Sequence, residues 1–368
     1  VGPMTGPAVL DCEDVEWFRD AAEMPSAARG AAATLARRIG LDGYRASEVA
    51  LAVTEAATNL QRHARDGALL LRVLRTADRA GVEFLTVDTG PGMADVEAAL
   101  ADGTSSGGTL GIGLGAVVRL ADAFDVHSLP GRGTVMAAQF WDRPAGSGPT
   151  GGVASVSSGL TRPISGETSC GDAWAVRVDE GGGTEDAVGP RSAFGRSVPA
   201  SEPAVLVMLC DGLGHGPLAA RAAGAAVTEF RRSTDRHPEN LLRRIHAALR
   251  GTRGGAVAVA RIEPARERVL YCGIGNVNGV LLGPDSRKGL LSAPGIVGQQ
   301  MRSLRTFELP LPPGGALVMH SDGLTDRWNA DELPGLLRHT PAVMAGQLLR
   351  EAGVRQDDAG IVVVKGAW

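Results

Sequence analysis

The stretch Arg143-Pro-Ala-Gly-Ser-Gly-Pro-Thr-Gly-Gly152 offers almost no apolar side chain to a core. Glycine and serine make such a run flexible and proline removes backbone donors from it, so it reads as a linker that no single core can cross. The apolar residues recur at regular intervals on both sides of it, which calls for two folding units: 8–142, a linker over 143–158, and 159–368. A length of 368 residues agrees, being more than one compact core ordinarily organises. A second run with little that could pack, 180–203 with its glycine triplet, is expected as a long loop inside the second unit.

Within the first unit, helical periodicity predicts helices over 26–39, with Ser26 as N-cap, 44–63 and 114–123, and strands over 69–75 and 82–87. After the linker, apolar runs predict strands over 173–178, 204–210, 256–262, 269–275, 277–282, 316–320 and 361–365, and helices over 218–232, 238–249 and 342–352. The expected class is therefore α+β with two domains, the second a β-sandwich flanked by helices. A globular balance of 44% hydrophobic and 21% charged residues, with a formal net charge of -4, gives no electrostatic reason to expect nucleic acid. No run approaches the roughly 20 apolar residues of a membrane-spanning helix, and the start lacks a signal-peptide pattern, so a cytoplasmic protein without a membrane partner is expected. Cys12, Cys170, Cys210 and Cys272 are isolated, which suggests reduced thiols and neither a zinc site nor a disulfide framework.

Four separated features of the first unit point to one ligand. Glu55 and Asn59 stand four apart on a predicted helix and share a face. An amide oxygen there can coordinate Mg²⁺ and a neighbouring carboxylate can orient or deprotonate a hydroxyl, although a solvated helix face shows the same spacing. Asp88-Thr-Gly-Pro-Gly92 follows a predicted strand and sets a carboxylate beside glycines that admit close backbone approach. Gly107-Gly-Thr-Leu-Gly-Ile-Gly-Leu-Gly115 opens a helix whose free N–H groups suit phosphates, and Gly131-Arg-Gly-Thr134 leads into another strand. The glycine run is not a dinucleotide fingerprint, since it lacks the strand-turn-helix setting and the acidic residue about 20 positions on.

In order and spacing these pieces resemble the N, G1 and G2 boxes of the GHKL ATPases, in particular the anti-sigma-factor serine kinases of the RsbT type, over about residues 10–140. The resemblance implies a Bergerat α/β sandwich that binds ATP with Mg²⁺: Asn59 on the metal, Glu55 as catalytic base and Asp88 on the adenine amino group. Gly90, Gly92, Gly111, Gly113, Gly115 and Thr134 would shape the pocket, and 104–109 would form a lid. Some members of this superfamily bind ATP and act chiefly by sequestering a partner.

The second unit carries aspartates beside predicted strand ends, at Ser169-Cys-Gly-Asp172, Asp211-Gly-Leu-Gly-His215, Ser321-Asp322-Gly323 and Asp357-Asp358. Each alone is an ordinary turn residue. Together they can converge at one end of a sandwich, and such oxygen ligands suit a pair of hard divalent cations that activate a water for attack on a phosphate ester. His215, His320 and Glu167 lie close by in sequence and fit structural roles equally well.

These motifs resemble the PPM-type phosphatases of the SpoIIE and RsbX branch over about residues 159–365. The resemblance implies two Mn²⁺ or Mg²⁺ ions, with Asp211 bridging, the Gly212 carbonyl assisting, Asp172, Asp322 and Asp357 completing the site, and Asp358 as a neighbouring candidate. The sequence departs from that pattern at Gly360, where the family usually has Ser or Thr. The two resemblances together imply a bifunctional partner-switching regulator of the stress-response kind. It would phosphorylate a STAS-type antagonist and remove phosphate from phosphoserine or phosphothreonine, with a sigma factor as a further candidate partner. The alternative is a phosphatase whose first domain senses nucleotide or binds a partner without kinase activity. The oligomeric state is not legible.

Overall fold

The computed structural model describes residues 11–19, 22–76, 79–100, 113–142, 156–179, 203–301, 303–326, 328, 332–354 and 356–366. Gly111, the proposed lid at 104–109, the linker over 143–155 and the loop over 180–202 lie outside the described residues. Contacts divide the chain into two compact units, 2–160 with 331–352, and 161–330 with 353–368.

The first unit has a five-stranded antiparallel sheet in the order β1-β2-β3-β5-β4, formed by β1 (Asp11–Arg19), β2 (Ala68–Arg75), β3 (Ala80–Val87), β4 (Ala123–Leu129) and β5 (Gly133–Trp141). One face packs on α1 (Met24–Arg38), α2 (Gly43–His63) and α4 (Gly113–Leu120), while the short α3 (Val96–Leu100) lies against α4. Period-2 alternation decides which residues take part: Leu69, Leu71, Val73, Val82, Phe84, Met136, Ala138 and Phe140 all enter the same helix-facing core. α2 starts where Asp42 accepts the Arg45 N–H at 2.7 Å, and its Ala46, Val49, Val53, Ala56, Ala57 and Leu60 make one buried stripe.

Two expected boundaries are corrected. α1 begins at Met24 with Glu23 as its N-cap, because Pro25 suits the first turn; Ser26 sits inside the helix and donates to Glu23 O at 2.9 Å. α4 ends at Leu120, since Ala123 already opens β4 and pairs with Gln139.

The opposite face of this sheet is covered by α7 (Pro341–Ala352), a helix more than 180 residues beyond the linker in sequence. Gly346 makes that approach possible, because a Cβ there would stand 2.8 Å from Val135 Cγ1 and 3.2 Å from Leu85 Cδ2. Ten residues of α7 are buried, which is why its apolar pattern runs nearly all round the helix.

The second unit pairs two five-stranded sheets. One has the order β13-β10-β9-β8-β7, with β7 (Asp172–Asp179), β8 (Ala204–Gly212), β9 (Gly255–Glu263), β10 (Arg268–Ile274) and β13 (Phe307–Pro310). The other runs β12-β11-β14-β15-β6, with β6 (Ser157–Arg162), β11 (Asn278–Gly283), β12 (Ser286–Leu290), β14 (Ala316–His320) and β15 (Ala359–Lys365). Helices α5 (Pro217–Arg232) and α6 (Pro238–Ala248) cover the first sheet through Ala223, Ala226, Phe230, Leu241 and Ile245 against Met208, Cys210, Val257 and Val259. β8 and β9 are buried on both faces, so they read as continuous apolar runs. The four cysteines are free thiols, Cys210 and Cys272 buried and the other two half-buried. Among the described residues no helix is long and apolar enough to cross a membrane.

Candidate functional sites

In the first unit, the end of β3 and the turn between β4 and β5 meet at Asp88. Its N–H donates to Thr134 O at 3.0 Å, and its Oδ1 accepts the Gly90 N–H at 2.7 Å. The Thr134 hydroxyl lies 2.9 Å from Ser128 Oγ, which also accepts the Met93 N–H at 2.8 Å. Gly92 and Gly133 are obligatory here: both have positive φ, +67° and +84°, and a Cβ would stand 2.1 Å from Leu129 O at Gly92 and 2.0 Å from Asp88 O at Gly133. Burial pushes the Asp88 carboxyl above its usual range, opposed by the Gly90 hydrogen bond and the charge of Arg350. Glu55 and Asn59 are half-buried beside the apolar stripe of α2. Gly113 and Gly115 lie in the first turn of α4, with open space where a Gly113 Cβ would stand.

In the second unit, antiparallel pairing brings the carboxylates to one end of the sandwich. Asp172 opens β7 and is the register partner of Asp211 at the end of β8, where the Gly212 N–H donates to Gly171 O at 3.0 Å. Asp322 follows β14, and Asp357 precedes β15 on the neighbouring strand. Burial, then the surrounding carboxylates Asp358, Asp322 and Asp357, push Asp172 up to about 7, against the Ser321 hydrogen bond. Burial, then Asp172, Asp322 and Asp357, push Asp211 up to about 9. Such mutual repulsion among oxygen donors is what a hard divalent cation would relieve. Among the described residues no three of these side chains close into a ready coordination shell. Internal hydrogen bonds hold them instead: the Asn276 amide donates to Asp322 Oδ2, and the Asp358 N–H donates to Asp357 Oδ1 at 2.9 Å.

Three residues play parts the sequence did not reveal. Asp358 is a brace, because its two oxygens accept the Ile164 N–H at 2.7 Å and the Gly171 N–H at 2.8 Å. Ser321, fully buried, donates to Asp172 Oδ2 at 2.6 Å and accepts the Gly360 N–H at 2.9 Å. Gly360, the departure noted above, has no room for a side chain: its Cβ would stand 2.9 Å from Asp172 Cβ. The hydroxyl that orients Asp172 thus comes from 321. His320 is buried, with Nδ1 2.9 Å from Ser321 O and Nε2 3.2 Å from Asp326 Oδ1, a structural arrangement. His215 lies in the open, 3.4 Å from Glu167.

Residues 18–140 match the histidine kinase-like ATPase domain family, and 201–365 match the stage II sporulation protein E (SpoIIE) family. The serine/threonine-protein kinase RsbT of Bacillus subtilis (strain 168) is 32% identical over 117 residues, which are 32% of this chain and 88% of RsbT. Through its first domain, the chain belongs to the RsbT family. Beside this RsbT-like domain of GHKL type, the C-terminal domain is a SpoIIE domain of the PPM class. The phosphoserine phosphatase RsbX of B. subtilis is 24% identical over 126 residues, 34% of this chain and 63% of RsbX, so the chain spans less than two thirds of that relative. A crystal structure of RsbX with magnesium is similar with 19% identity and a TM-score of 0.46, covering 57% of this chain and 94% of RsbX. The α+β class with two such domains therefore stands, and a kinase-like ATPase domain is joined to a phosphatase domain in one chain.

Proposed function

We propose that the chain sets the phosphorylation level of one partner protein, adding phosphate at the RsbT-like domain and removing it at the SpoIIE domain. The carrying observation is that one chain holds both domains, while the relatives that match them are a serine/threonine-protein kinase and a phosphoserine phosphatase. Such fusion keeps both sites at high effective concentration around one docked partner. The partner that best suits this chemistry is a STAS-type antagonist with a phosphorylatable Ser or Thr.

In the first domain, the Asn59 amide oxygen would hold Mg²⁺ and Asp88 would accept a hydrogen bond from the adenine amino group. Glu55 would take the proton of the partner hydroxyl as it attacks. Gly90, Gly92, Gly113, Gly115 and Thr134 would shape the pocket, with Gly111 completing it. In the second domain, Asp211, the Gly212 carbonyl, Asp172, Asp322 and Asp357 would hold two Mn²⁺ or Mg²⁺ ions. A metal pair supplies a water activated for attack on the phosphoester. The residues contribute placement: Ser321 orients Asp172, and Asp358 holds the loop that leads into it.

The test is to incubate the protein with Mg-ATP, Mn²⁺ and the partner, and to follow the phosphorylated site by mass spectrometry. Wild type should consume ATP continuously while the partner stays mostly unmodified. Asp211→Ala should make phosphorylated partner accumulate. Glu55→Ala should still bind nucleotide and still strip pre-phosphorylated partner, whereas Asn59→Ala should lose Mg-ATP binding. An Asp211→Ala protein that binds ATP yet leaves every partner residue unmodified would overturn the kinase half and favour a nucleotide-sensing domain.

A further inference from the structure

We propose that Arg350, held by Glu351, is a positioning residue of the nucleotide site, so that this site is completed by a helix lying outside the stretch that matches the ATPase family. The proposal rests on the reading of Asp88 as the adenine-recognising residue.

Arg350 occupies the last turn of α7, and its Nη1 donates to Asp88 O at 3.3 Å across 262 residues of sequence. The guanidinium is 3% exposed. A charge buried so deeply is costly unless paired, and here its Nη2 lies 2.6 Å from Glu351 Oε1. The other oxygen of Glu351 receives Arg132 Nη2 at 2.9 Å, and Arg132 belongs to the same turn as Gly133 and Thr134. Gly133 packs directly into this cluster, since a Cβ there would meet Asp88 O at 2.0 Å and Arg350 Nη1 at 2.9 Å. One network thus fixes the two backbone segments that carry Asp88 and Thr134. Its attachment is not confined to that end. The start of α7 is tied to β4, where Asp125 accepts from the Thr340 N–H at 2.6 Å and lies 2.8 Å from His339 Nδ1. Between the two ties, Gly346 seats the helix against Leu85 and Val135. The same guanidinium sets a positive charge near the Asp88 carboxyl, favouring its ionised, hydrogen-bond-accepting form.

The experiment measures Mg-ATP and Mg-GTP affinity of the full chain by titration calorimetry. Arg350→Met should weaken Mg-ATP binding about tenfold, as expected for losing a charged hydrogen bond from a buried site. It should also narrow the preference for ATP over GTP, because Arg350 acts through the base-reading residue; Arg350→Lys should recover part of both. In an Asp88→Asn background Arg350→Met should add little, whereas a general loosening of the fold would add its full effect. Circular dichroism and the thermal melting of the RsbT-like unit report that each variant is folded. Should Arg350→Met fail to fold, Arg132→Gln, a substitution at a half-exposed residue, should still weaken Mg-ATP binding about threefold. A wild-type protein that binds no nucleotide would bring down the reading of the site itself. A wild type that binds Mg-ATP, beside Arg350→Met or Arg132→Gln variants of unchanged affinity and preference, would overturn the role of Arg350 alone.

Discussion

Asp88 and Asp211 are both aspartates at the end of an apolar strand, yet one is surrounded by donors and the other by acceptors. Around Asp88 stand the Gly90 amide and the Arg350 guanidinium; around Asp211 stand Asp172, Asp322 and Asp357. The first site is satisfied by its own chain and can be shaped before any ligand arrives. The second gathers carboxylates that raise one another's proton affinity, so a bound cation would stabilise it. Substituting the same residue type should therefore have opposite consequences for the two folds.

The largest effect separates them most sharply. Asp211→Asn should reduce p-nitrophenyl phosphate hydrolysis by more than about 100-fold, beyond the usual loss for residues that only support a metal ligand. The same substitution should raise the melting temperature of metal-stripped protein, since the wild-type carboxyl, held up at about 9, must take up a proton on folding at neutral pH and an amide need not. Asp88→Asn should weaken Mg-ATP binding with no such gain. If metal-stripped Asp211→Asn melts below wild type, the carboxylates do not repel one another as described.

Next in size is Ser321→Ala, which should weaken Mn²⁺ binding about 10- to 100-fold in titration calorimetry, the range for losing a hydrogen bond to a metal ligand. Gly360→Ala should weaken it too, because the new Cβ would stand 2.9 Å from that of Asp172. Unchanged Mn²⁺ affinity in both would show that Asp172 needs no support from behind.

What the sequence disclosed follows the same division. The doubly buried strands β8 and β9 were legible from their apolar runs, and the aspartates beside turns marked the strand ends that converge. β1 was not legible, because Asp11, Glu13, Asp14 and Glu16 break its alternation and its pairing with β2 contains an irregularity between Asp14 and Glu16. The exposed β12 and the four-residue β13 give too little apolar signal for a strand. The periodicity of α7 was plain, but periodicity names a buried face and not the sheet that buries it. Arg350 was invisible for the same reason: nothing local marks a charged residue near a helix end as the partner of a carbonyl far back in the chain. Ser321 and Gly360 could have been suspected as a pair, since the hydroxyl absent at one position stands beside Asp322 at the other.

The pH dependence of the metal-stripped protein should carry the same contrast. Burial and neighbouring charge hold the Asp172 carboxyl up at about 7, so the native state keeps a proton that the unfolded chain has released. Stability of the SpoIIE unit should then fall as pH rises between pH 5 and 7, with the raised Asp211 carboxyl adding to the slope, and saturating Mn²⁺ should remove it. A flat profile without metal would contradict it.

The smallest effect has the opposite sign and lies in the RsbT-like unit. Burial alone would raise the Asp125 carboxyl, but hydrogen bonds from His339 and from the amide and hydroxyl of Thr340 outweigh it and hold the group below its usual range. Its contribution is therefore complete above the unfolded value near 4 and is lost as pH falls through the lower folded value. Asp125→Asn should cost about 1 kcal/mol at neutral pH, the net worth of the hydrogen bonds it weakens, and the cost should shrink as pH is lowered toward 3. Calorimetry of wild type and variant across pH 3 to 7 measures the difference directly. A cost that persists undiminished at the acid end would mean that α7 is held to β4 by packing, with the Asp125 charge incidental.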